Sequence, residues 1–312
     1  MSNRVVYLNG EYVAESEARI SIFDSALMYG DMLFEMTRVF NLKPFRLREH
    51  LERLYSSLRY AEIDCGLTID EMEEATNQTI EKNLEAVEGI DFQIMHNVTR
   101  GGMAFYDTLV KEGTSPVVTI NVFPLIRHQG GMVEKYEKGA HALVPAQQSV
   151  PSRFIDPKCK NRSRIFYKLA DLQVAKMDKA AMALLTDEHG FITEGTGNNF
   201  FMAKDGELYT AKPQNVLRGV SRQACMDYAA ELGIPVHETD IEPYDVRGAD
   251  EAWYTSTTVC MAPITRFDFQ PVGEGVPGPL YKKLIQAWSD DVGVDIIGQA
   301  REYAKIKDKW IP

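Results

Sequence analysis

Cysteine is scarce in this chain of 312 residues, and its four cysteines are scattered. Cys65, Cys159, Cys225 and Cys260 include no C-x-x-C pair. A disulfide framework or a structural zinc site needs cysteines at short, regular spacings. The sequence therefore predicts reduced thiols and no metal site.

Long apolar runs are also missing, and positive charge is in deficit. No apolar run approaches the roughly 20 residues that cross a bilayer, and the first residues, Met1–Arg4, contain no apolar signal core. The 45 acidic residues outnumber the 34 basic ones, which gives a formal net charge of −11. These features predict a cytoplasmic protein whose partners are neither membranes nor nucleic acids.

The chain does contain enough apolar sequence, 45%, to build two domains. Residues 1–123 predict a small α/β domain, in which strands and amphipathic helices share one sheet. Residues 124–134 are rich in Pro, Gly and polar residues and predict an interdomain loop. Residues 135–312 predict a second, larger domain. The expected fold class is α/β, of the α+β type.

The most informative stretch is 157–202, where a lysine-rich segment leads into a helix predicted at about 163–179. A hairpin then delivers Glu194 into the loop Gly-Thr-Gly-Asn-Asn. A lysine before a helix and a carboxylate at a strand end could converge on one ligand. Taken alone, the pattern is more typical of a solvated basic loop and an ordinary tight turn.

The run T-E-G-T-G-N-N-F-F resembles the S/T-E-G-x-x-x-N-x-F run of the fold-type IV pyridoxal-phosphate enzymes. This group holds branched-chain aminotransferases, D-amino-acid transaminases, (R)-selective amine transaminases and aminodeoxychorismate lyases. Its glutamate follows the cofactor-binding lysine by a little over thirty residues, as Glu194 follows Lys160 here. The similarity extends from Val6 to about Trp288. It implies a smaller N-terminal α/β domain, a larger C-terminal domain with mixed sheets, bound pyridoxal 5'-phosphate, and a homodimer or higher homo-oligomer.

The resemblance also implies which residues bind the cofactor. Lys160 matches the lysine that forms a Schiff base, with Lys158 and Lys168 as the alternatives should the alignment shift. Glu194 matches the carboxylate that pairs with the pyridine nitrogen and keeps the ring cationic. The phosphate would be bound by an arginine fork, a helix start and threonine hydroxyls. The residues that match in R-E-H-L-E-R-L, G-V-S-R and T-S-T-T are Arg53, Val220, Ser221, Thr257 and Thr258.

On the substrate side the resemblance is weaker. Tyr29, Phe34 and Arg38 match pocket residues of the branched-chain group, in A-L-M-Y-G and L-F-E-M-T-R. Met36 stands where that group has glycine, and Met95 stands where it has an arginine. The Arg-x-His of the D-amino-acid enzymes is absent from the loop that follows V-T-R-G.

Two further positions stay open. Arg127, in the predicted interdomain loop, is a candidate receiver for a substrate carboxylate, and a solvent-facing linker arginine is an equally good interpretation. The branched-chain enzymes have a tyrosine five residues after the lysine, where this chain has Ile165. Tyr167 would take that place only if the helix register differs.

The resemblance implies an enzyme that moves an amino group from an amino acid to a 2-oxo acid by a ping-pong mechanism. The expected donor is an aliphatic or branched-chain L-amino acid. A D-amino acid or an (R)-amine stays open, because the pocket residues match no reference set. The alternatives are a lyase of the aminodeoxychorismate type and a pyridoxal-phosphate-binding protein without turnover.

Overall fold

The computed structural model describes residues 4–106, 108 and 115–308. The chain forms two compact units. The first consists mainly of the chain up to Arg127 together with Cys159–Arg164, and the second consists of His128–Lys158 and Ile165–Lys305. The domain limits expected from the sequence differ from these units, because Cys159–Arg164 returns to the first unit.

The first unit is built on a six-stranded antiparallel sheet with the order β2-β1-β6-β5-β3-β4. Its strands are β1 Val5–Leu8, β2 Glu11–Ala14, β3 Met32–Phe40, β4 Lys43–Pro44, β5 Phe92–Thr99 and β6 Val118–Pro124. Its α-helices are α1 Ser25–Tyr29, α2 Leu47–Tyr60 and α3 Ile69–Asn83. A capping box begins α3, because Thr68 and Glu71 each accept the other's backbone N–H.

This sheet has two chemically different faces. Successive side chains of a strand point to opposite sides, so the odd positions of β3 share one side and the even positions the other. On the odd side, Leu33 and Val39 pack with leucines of α2 in the core. On the even side lie Phe34, which is opposite Asn97, and Met36, which is opposite Met95. We call these even positions of β3, with their β5 partners, the second face.

The second unit is built on a mixed sheet with the order β12-β11-β10-β13-β14-β7-β8-β9, and β15 pairs with β14. Its strands are β7 Ala140–Leu143, β8 Met182–Thr186, β9 Ile192–Gly195, β10 Asn199–Lys204, β11 Glu207–Ala211, β12 Val236–Thr239, β13 Glu251–Ser256, β14 Cys260–Phe267 and β15 Gln270–Pro271. The pairs β7–β8, β7–β14 and β11–β12 are parallel. Because β9 also pairs with β10, six of the strands form a closed ring.

Helices complete the second unit. They are α5 Val133–Lys138, α6 Ile165–Met177, α7 Val220–Glu231, α8 Pro243–Arg247, α9 Pro279–Val292 and α10 Ile296–Ile306. A further short helix, α4 Ile126–Gly130, contains the chain boundary between the units. In the described part of the chain, no helix combines the length and the apolarity needed to cross a membrane.

The segment 124–134 is largely helical, whereas the sequence predicted an interdomain loop. It holds α4 and the start of α5, and the side chains of Leu125 and Ile126 are buried. Part of this difference is explained by the close backbone packing at Gly130. A Cβ on Gly130 would lie 2.8 Å from the backbone nitrogen of Ala304, so the glycine permits close packing on α10.

Candidate active site

Lys160 is held in the first unit by its backbone. Its carbonyl oxygen accepts a hydrogen bond from the N–H of Phe34 at 3.1 Å. Its own N–H donates to the hydroxyl oxygen of Ser57, on α2, at 3.2 Å. The side-chain amine lies 4.8 Å from the centre of the Phe34 ring. The structure therefore brings together the predicted amine and one of the predicted substrate residues.

Arg53 lies on α2, one turn before Ser57, and forms a two-pronged ion pair with Glu35. Its Nε lies 2.6 Å from Oε1 of Glu35, and its Nη2 lies 2.8 Å from Oε2. Glu35 is fully buried, and its Oε2 also lies 2.9 Å from Nδ1 of His50. The guanidinium of Arg53 is thus fixed in one orientation, as a phosphate-binding arginine requires.

The charges in this cluster are well defined. Burial alone would raise the pKa of Glu35, but the charge of Arg53 and hydrogen bonds from His50 and Arg53 hold that pKa well below its usual range. Burial lowers the pKa of His50 and outweighs the opposing effect of Glu35. The cluster is therefore an ionised carboxylate that accepts from a guanidinium and from the Nδ1–H of a neutral imidazole.

Glu194 lies in the second unit, at the joint that closes the ring of strands. It is the residue of β9 that pairs with Asn199 of β10. Its Oε1 accepts from the hydroxyl of Tyr167 at 2.8 Å, and its Oε2 accepts from Nδ2 of Asn199 at 2.9 Å and from the N–H of Leu217 at 3.0 Å. The side chain is buried. Donors from three segments therefore fix the orientation of this buried carboxylate.

The start of α7 lies next to this carboxylate. Asn199 also donates to the carbonyl oxygen of Leu217, two residues before the N-cap Gly219. A Cβ on Gly219 would overlap Oδ1 of Asn199, so any larger residue at this position would displace that side chain. Val220 and Ser221 follow as the first two residues of the helix, where backbone N–H groups have no intrahelical acceptor. Among the described residues, the Ser221 hydroxyl makes no hydrogen bond, which suits an anion site.

Thr257 and Thr258 lie in the turn between β13 and β14, and both are half-buried. The turn is closed by the pairing of Ser256 with Cys260, whose φ of 59° is in the left-handed region. Helix α7 packs on β13. The two threonines therefore follow directly after the strand that supports the predicted phosphate-binding helix.

On α6, Ile165 and Tyr167 are the two positions compared with the tyrosine of the branched-chain enzymes, and they lie in different environments. The side chain of Ile165 is 76% exposed, whereas Tyr167 faces inward and donates to Glu194. The tyrosine of this chain therefore contacts the carboxylate predicted for the ring nitrogen. Its position on the first turn of α6 makes this contact possible.

The remaining substrate candidates occupy different environments. Tyr29 ends α1 and is 67% exposed, and its carbonyl oxygen accepts from the Ser163 hydroxyl. Arg38 is buried on the second face, with its guanidinium 4.3 Å from the centre of the Phe40 ring. Arg127 is exposed on α4 and makes no hydrogen bond or ion pair with the described residues.

Three residues that position the site were not selected from the sequence. Glu35 carries a usable signal, because a carboxylate inside an apolar strand needs a buried cationic partner. Asn199 stands in the motif itself, as the asparagine of N-x-F. Ser57 carries no such signal, since a serine within a helix is usually solvated or bonded to its own helix.

Comparison with known proteins decides the family. The family model described as amino-transferase class IV matches residues 32–267. The chain belongs to the class IV aminotransferases.

Named relatives of this class cover almost the whole chain. A protein of Methanocaldococcus jannaschii named "Putative branched-chain-amino-acid aminotransferase" is 32% identical over 91% of this chain and 95% of its own length. The D-alanine aminotransferase of Bacillus licheniformis is 30% identical over 92% of this chain and 96% of its own. The structure of a T.th. branched-chain amino acid aminotransferase with pyridoxamine 5'-phosphate is 26% identical, with a TM-score of 0.82 over 97% of each chain.

These findings confirm the resemblance, the α/β fold of fold-type IV and the enzyme class. As a class IV aminotransferase, the protein uses pyridoxal 5'-phosphate and acts on an amino acid and a 2-oxo acid. Its residues fit that cofactor: the second unit holds a buried carboxylate fixed by hydrogen bonds and a helix start whose Ser221 hydroxyl makes no hydrogen bond with the described residues. The first unit holds a lysine and a fixed arginine.

Proposed function

We propose that this aminotransferase takes the amino group of an aliphatic L-amino acid, with branched-chain amino acids as preferred donors. The observation that carries this choice is the second face, where Met36 stands opposite Met95 beside Phe34. Methionine side chains are apolar and flexible, so they can pack against branched aliphatic chains. The names of the M. jannaschii relative and of the T.th. enzyme support the same donors.

The proposed site combines the residues predicted from the sequence. The phosphate would be held by the N–H groups of α7, a guanidinium and hydroxyl groups, from Arg53, Val220, Ser221, Thr257 and Thr258. Tyr29, Phe34, Arg38 and Arg127 are the proposed substrate residues. When bound, pyridoxal phosphate supplies an electron sink for the charge that develops at the substrate Cα.

Side chains of the protein then transfer and hold the protons of the reaction. Lys160 takes the proton from the substrate Cα as a general base and returns a proton as a general acid. Glu194 holds the proton on the ring nitrogen, and its own position is fixed by Tyr167 and Asn199. In the first half-reaction the donor leaves as a 2-oxo acid, and in the second a different 2-oxo acid receives the amino group. This order of events is the ping-pong mechanism.

A D-amino acid donor is the second candidate. The relative named D-alanine aminotransferase is 30% identical over nearly all of this chain, close to the value for the branched-chain relative. A lyase of the aminodeoxychorismate type would use the same amine and carboxylate but would release pyruvate without an amino acceptor.

Single half-reactions separate these possibilities. The holoenzyme is mixed with L-leucine, L-valine, D-alanine or (R)-1-phenylethylamine in turn, and the visible absorbance of the bound cofactor is followed. We expect the branched-chain L-amino acids to bleach the band fastest, and a 2-oxo acid to restore it. Faster bleaching by D-alanine would replace the proposed donor, and a cofactor band that none of these donors bleaches would favour the lyase.

We further propose a cytoplasmic homodimer. The helix α6 presents an apolar stripe to solvent at i, i+4 and i+7, in which Ile165, Leu169 and Leu172 are 76%, 45% and 48% exposed. An exposed stripe of this kind marks a protein–protein contact. None of the four cysteines forms a disulfide within the described residues, and three of them are buried, as expected in a reducing compartment.

A further inference from the structure

Several arginines of the first unit are fixed by an ion pair, and Arg162 is not among them in the described part of the chain. Arg48, Arg53 and Arg100 each pair with a carboxylate. Among the described residues, Arg162 has no ion pair at all, and its Nη2 contacts only the sulfur of Met95 at 3.1 Å and Oδ1 of Asn97 at 3.3 Å. Within its described part, the first unit therefore leaves this guanidinium on the second face without an anion.

The backbone places Arg162 beside Lys160. The N–H of Phe34 donates to the carbonyl oxygen of Lys160, and the N–H of Arg162 donates to the carbonyl oxygen of Met32 at 2.8 Å. Residues i and i+2 of an extended segment point to the same side. Both side chains accordingly reach one ring, with the Lys160 amine 4.8 Å and the Arg162 guanidinium carbon 3.6 Å from the centre of Phe34.

The local charge adds to this picture. The guanidinium of Arg164 lies 5.6 Å from the centre of the same ring. Partial desolvation, together with the charge of Arg164, lowers the pKa of Arg162. A guanidinium stays protonated in proteins even so. An exposed guanidinium beside another cation, with only neutral partners among the described residues, is a ready binding site for an anion.

We propose that Arg162 receives the carboxylate of the amino acid whose Cα proton Lys160 removes. That carboxylate is bonded to the same Cα, and Lys160 and Arg162 both lie close to the Phe34 ring. The planar guanidinium can donate to both carboxylate oxygens, and its contact with the Phe34 ring limits its movement. This inference rests on the proposed function, and it names a different residue from the exposed Arg127.

The test measures binding to the holoenzyme by calorimetry, with 4-methylvalerate as an unreactive carboxylate and 4-methylpentanamide as its neutral counterpart. We expect Arg162→Gln to weaken carboxylate binding by about 10- to 100-fold and to leave amide binding within twofold. Arg162→Lys should recover part of the loss. The control Arg59→Gln removes an exposed charge that bonds to Ser56 and should change neither affinity.

Three results would overturn the inference. One is unchanged carboxylate affinity in Arg162→Gln. Another is an equal loss of carboxylate affinity in Arg164→Gln, which would show that positive charge in general, and not Arg162 itself, attracts the carboxylate. The third is a loss of carboxylate affinity in Arg127→Gln alone. The proposed function is judged separately, by wild-type half-reactions: if these occur and Arg162→Gln leaves the KM for the amino acid unchanged, only the inference fails.

Discussion

At the scale of single residues, the carboxylate of Glu194 shows how the site is built. Its hydrogen-bond donors come from a helix, a neighbouring strand and a loop, so three separate segments hold the carboxylate in place. Such support from outside the reacting groups is what keeps an active-site group in its productive orientation. Two substitutions test this support.

Removing the hydroxyl of Tyr167 should slow the enzyme without unfolding it. Tyr167→Phe deletes the hydrogen bond to Glu194 at 2.8 Å. A hydrogen bond to a charged group contributes about 1.5–3 kcal/mol, so we expect kcat to fall roughly tenfold or more and its pH profile to shift. Tyr209→Phe, which removes a hydroxyl bonded to Glu207, is the matched control. Wild-type kinetics in Tyr167→Phe would refute the positioning role.

Adding one methyl group at Gly219 should weaken cofactor binding. The new Cβ would overlap Oδ1 of Asn199, which must move and release Glu194. Overpacking of this kind costs about 1–3 kcal/mol, so the Kd for pyridoxal phosphate should rise about tenfold in a titration followed by absorbance. Gly248→Ala places its Cβ at an ordinary 3.6 Å from the nearest atom and should bind normally. Equal affinities for the two variants would contradict this account.

At the scale of elements, the periodic spacing of apolar residues predicted where helices lie. It could not predict which elements pack against one another. The spacing of Leu51, Leu54 and Leu58 is typical of an amphipathic helix and matches α2, and Thr68 is a typical cap residue and begins α3. The helix α4 was missed because Gly130 suggests flexibility, and only the structure shows the backbone of α10 against it. In the site, motif spacing selected Lys160 and Glu194, but it gave no sign that α6 directs Tyr167 inward.

The buried contact between His96 of β5 and Thr76 of α3 predicts that the free energy of unfolding depends on pH. Burial lowers the pKa of His96 to about 4, below the roughly 6.5 of an exposed histidine. As the pH falls, the unfolded chain binds a proton at this histidine before the folded protein does. The contribution of neutral His96 to the free energy of unfolding is therefore complete above about pH 6.5 and is lost as the pH falls towards 4. Between pH 7 and pH 5 the loss should be about 2 kcal/mol.

Chemical denaturation at the two pH values measures this effect. Nε2 of His96 bonds to the Thr76 hydroxyl, and a glutamine amide can replace that donor. His96→Gln should therefore lose less stability than the wild type between pH 7 and pH 5. His189→Gln, at an exposed turn, should behave as the wild type. An unchanged pH dependence in His96→Gln would show that His96 does not cause it.

At the scale of the whole molecule, the residues predicted to bind the cofactor are divided between the two units. Lys160 and Arg53 belong to the first unit, and Glu194 and the start of α7 belong to the second. Motifs in the sequence are the basis for predicting both sets. They did not show that the lysine segment returns to the first unit, because that depends on backbone pairing with β3 between residues far apart in the chain.

The proposed homodimer gives a prediction at this scale. Leu169→Glu places a charge in the exposed stripe of α6 and should shift the protein towards monomer in light scattering at micromolar concentration. Leu84→Glu makes the same change at another exposed leucine and should leave the mass unchanged. A monomeric wild type, or a Leu169→Glu variant with wild-type mass, would contradict the proposed contact.

The central claim is that Lys160 carries the amine chemistry of a class IV aminotransferase. The most direct measurement compares wild type, Lys160→Gln and Lys158→Gln in the presence of pyridoxal phosphate and L-leucine, with visible absorbance as the readout. We predict that wild type and Lys158→Gln show a cofactor band that L-leucine bleaches and a 2-oxo acid restores. Lys160→Gln should show neither the covalent band nor the cycle. A normal band and cycle in Lys160→Gln, or their loss in Lys158→Gln instead, would contradict the account.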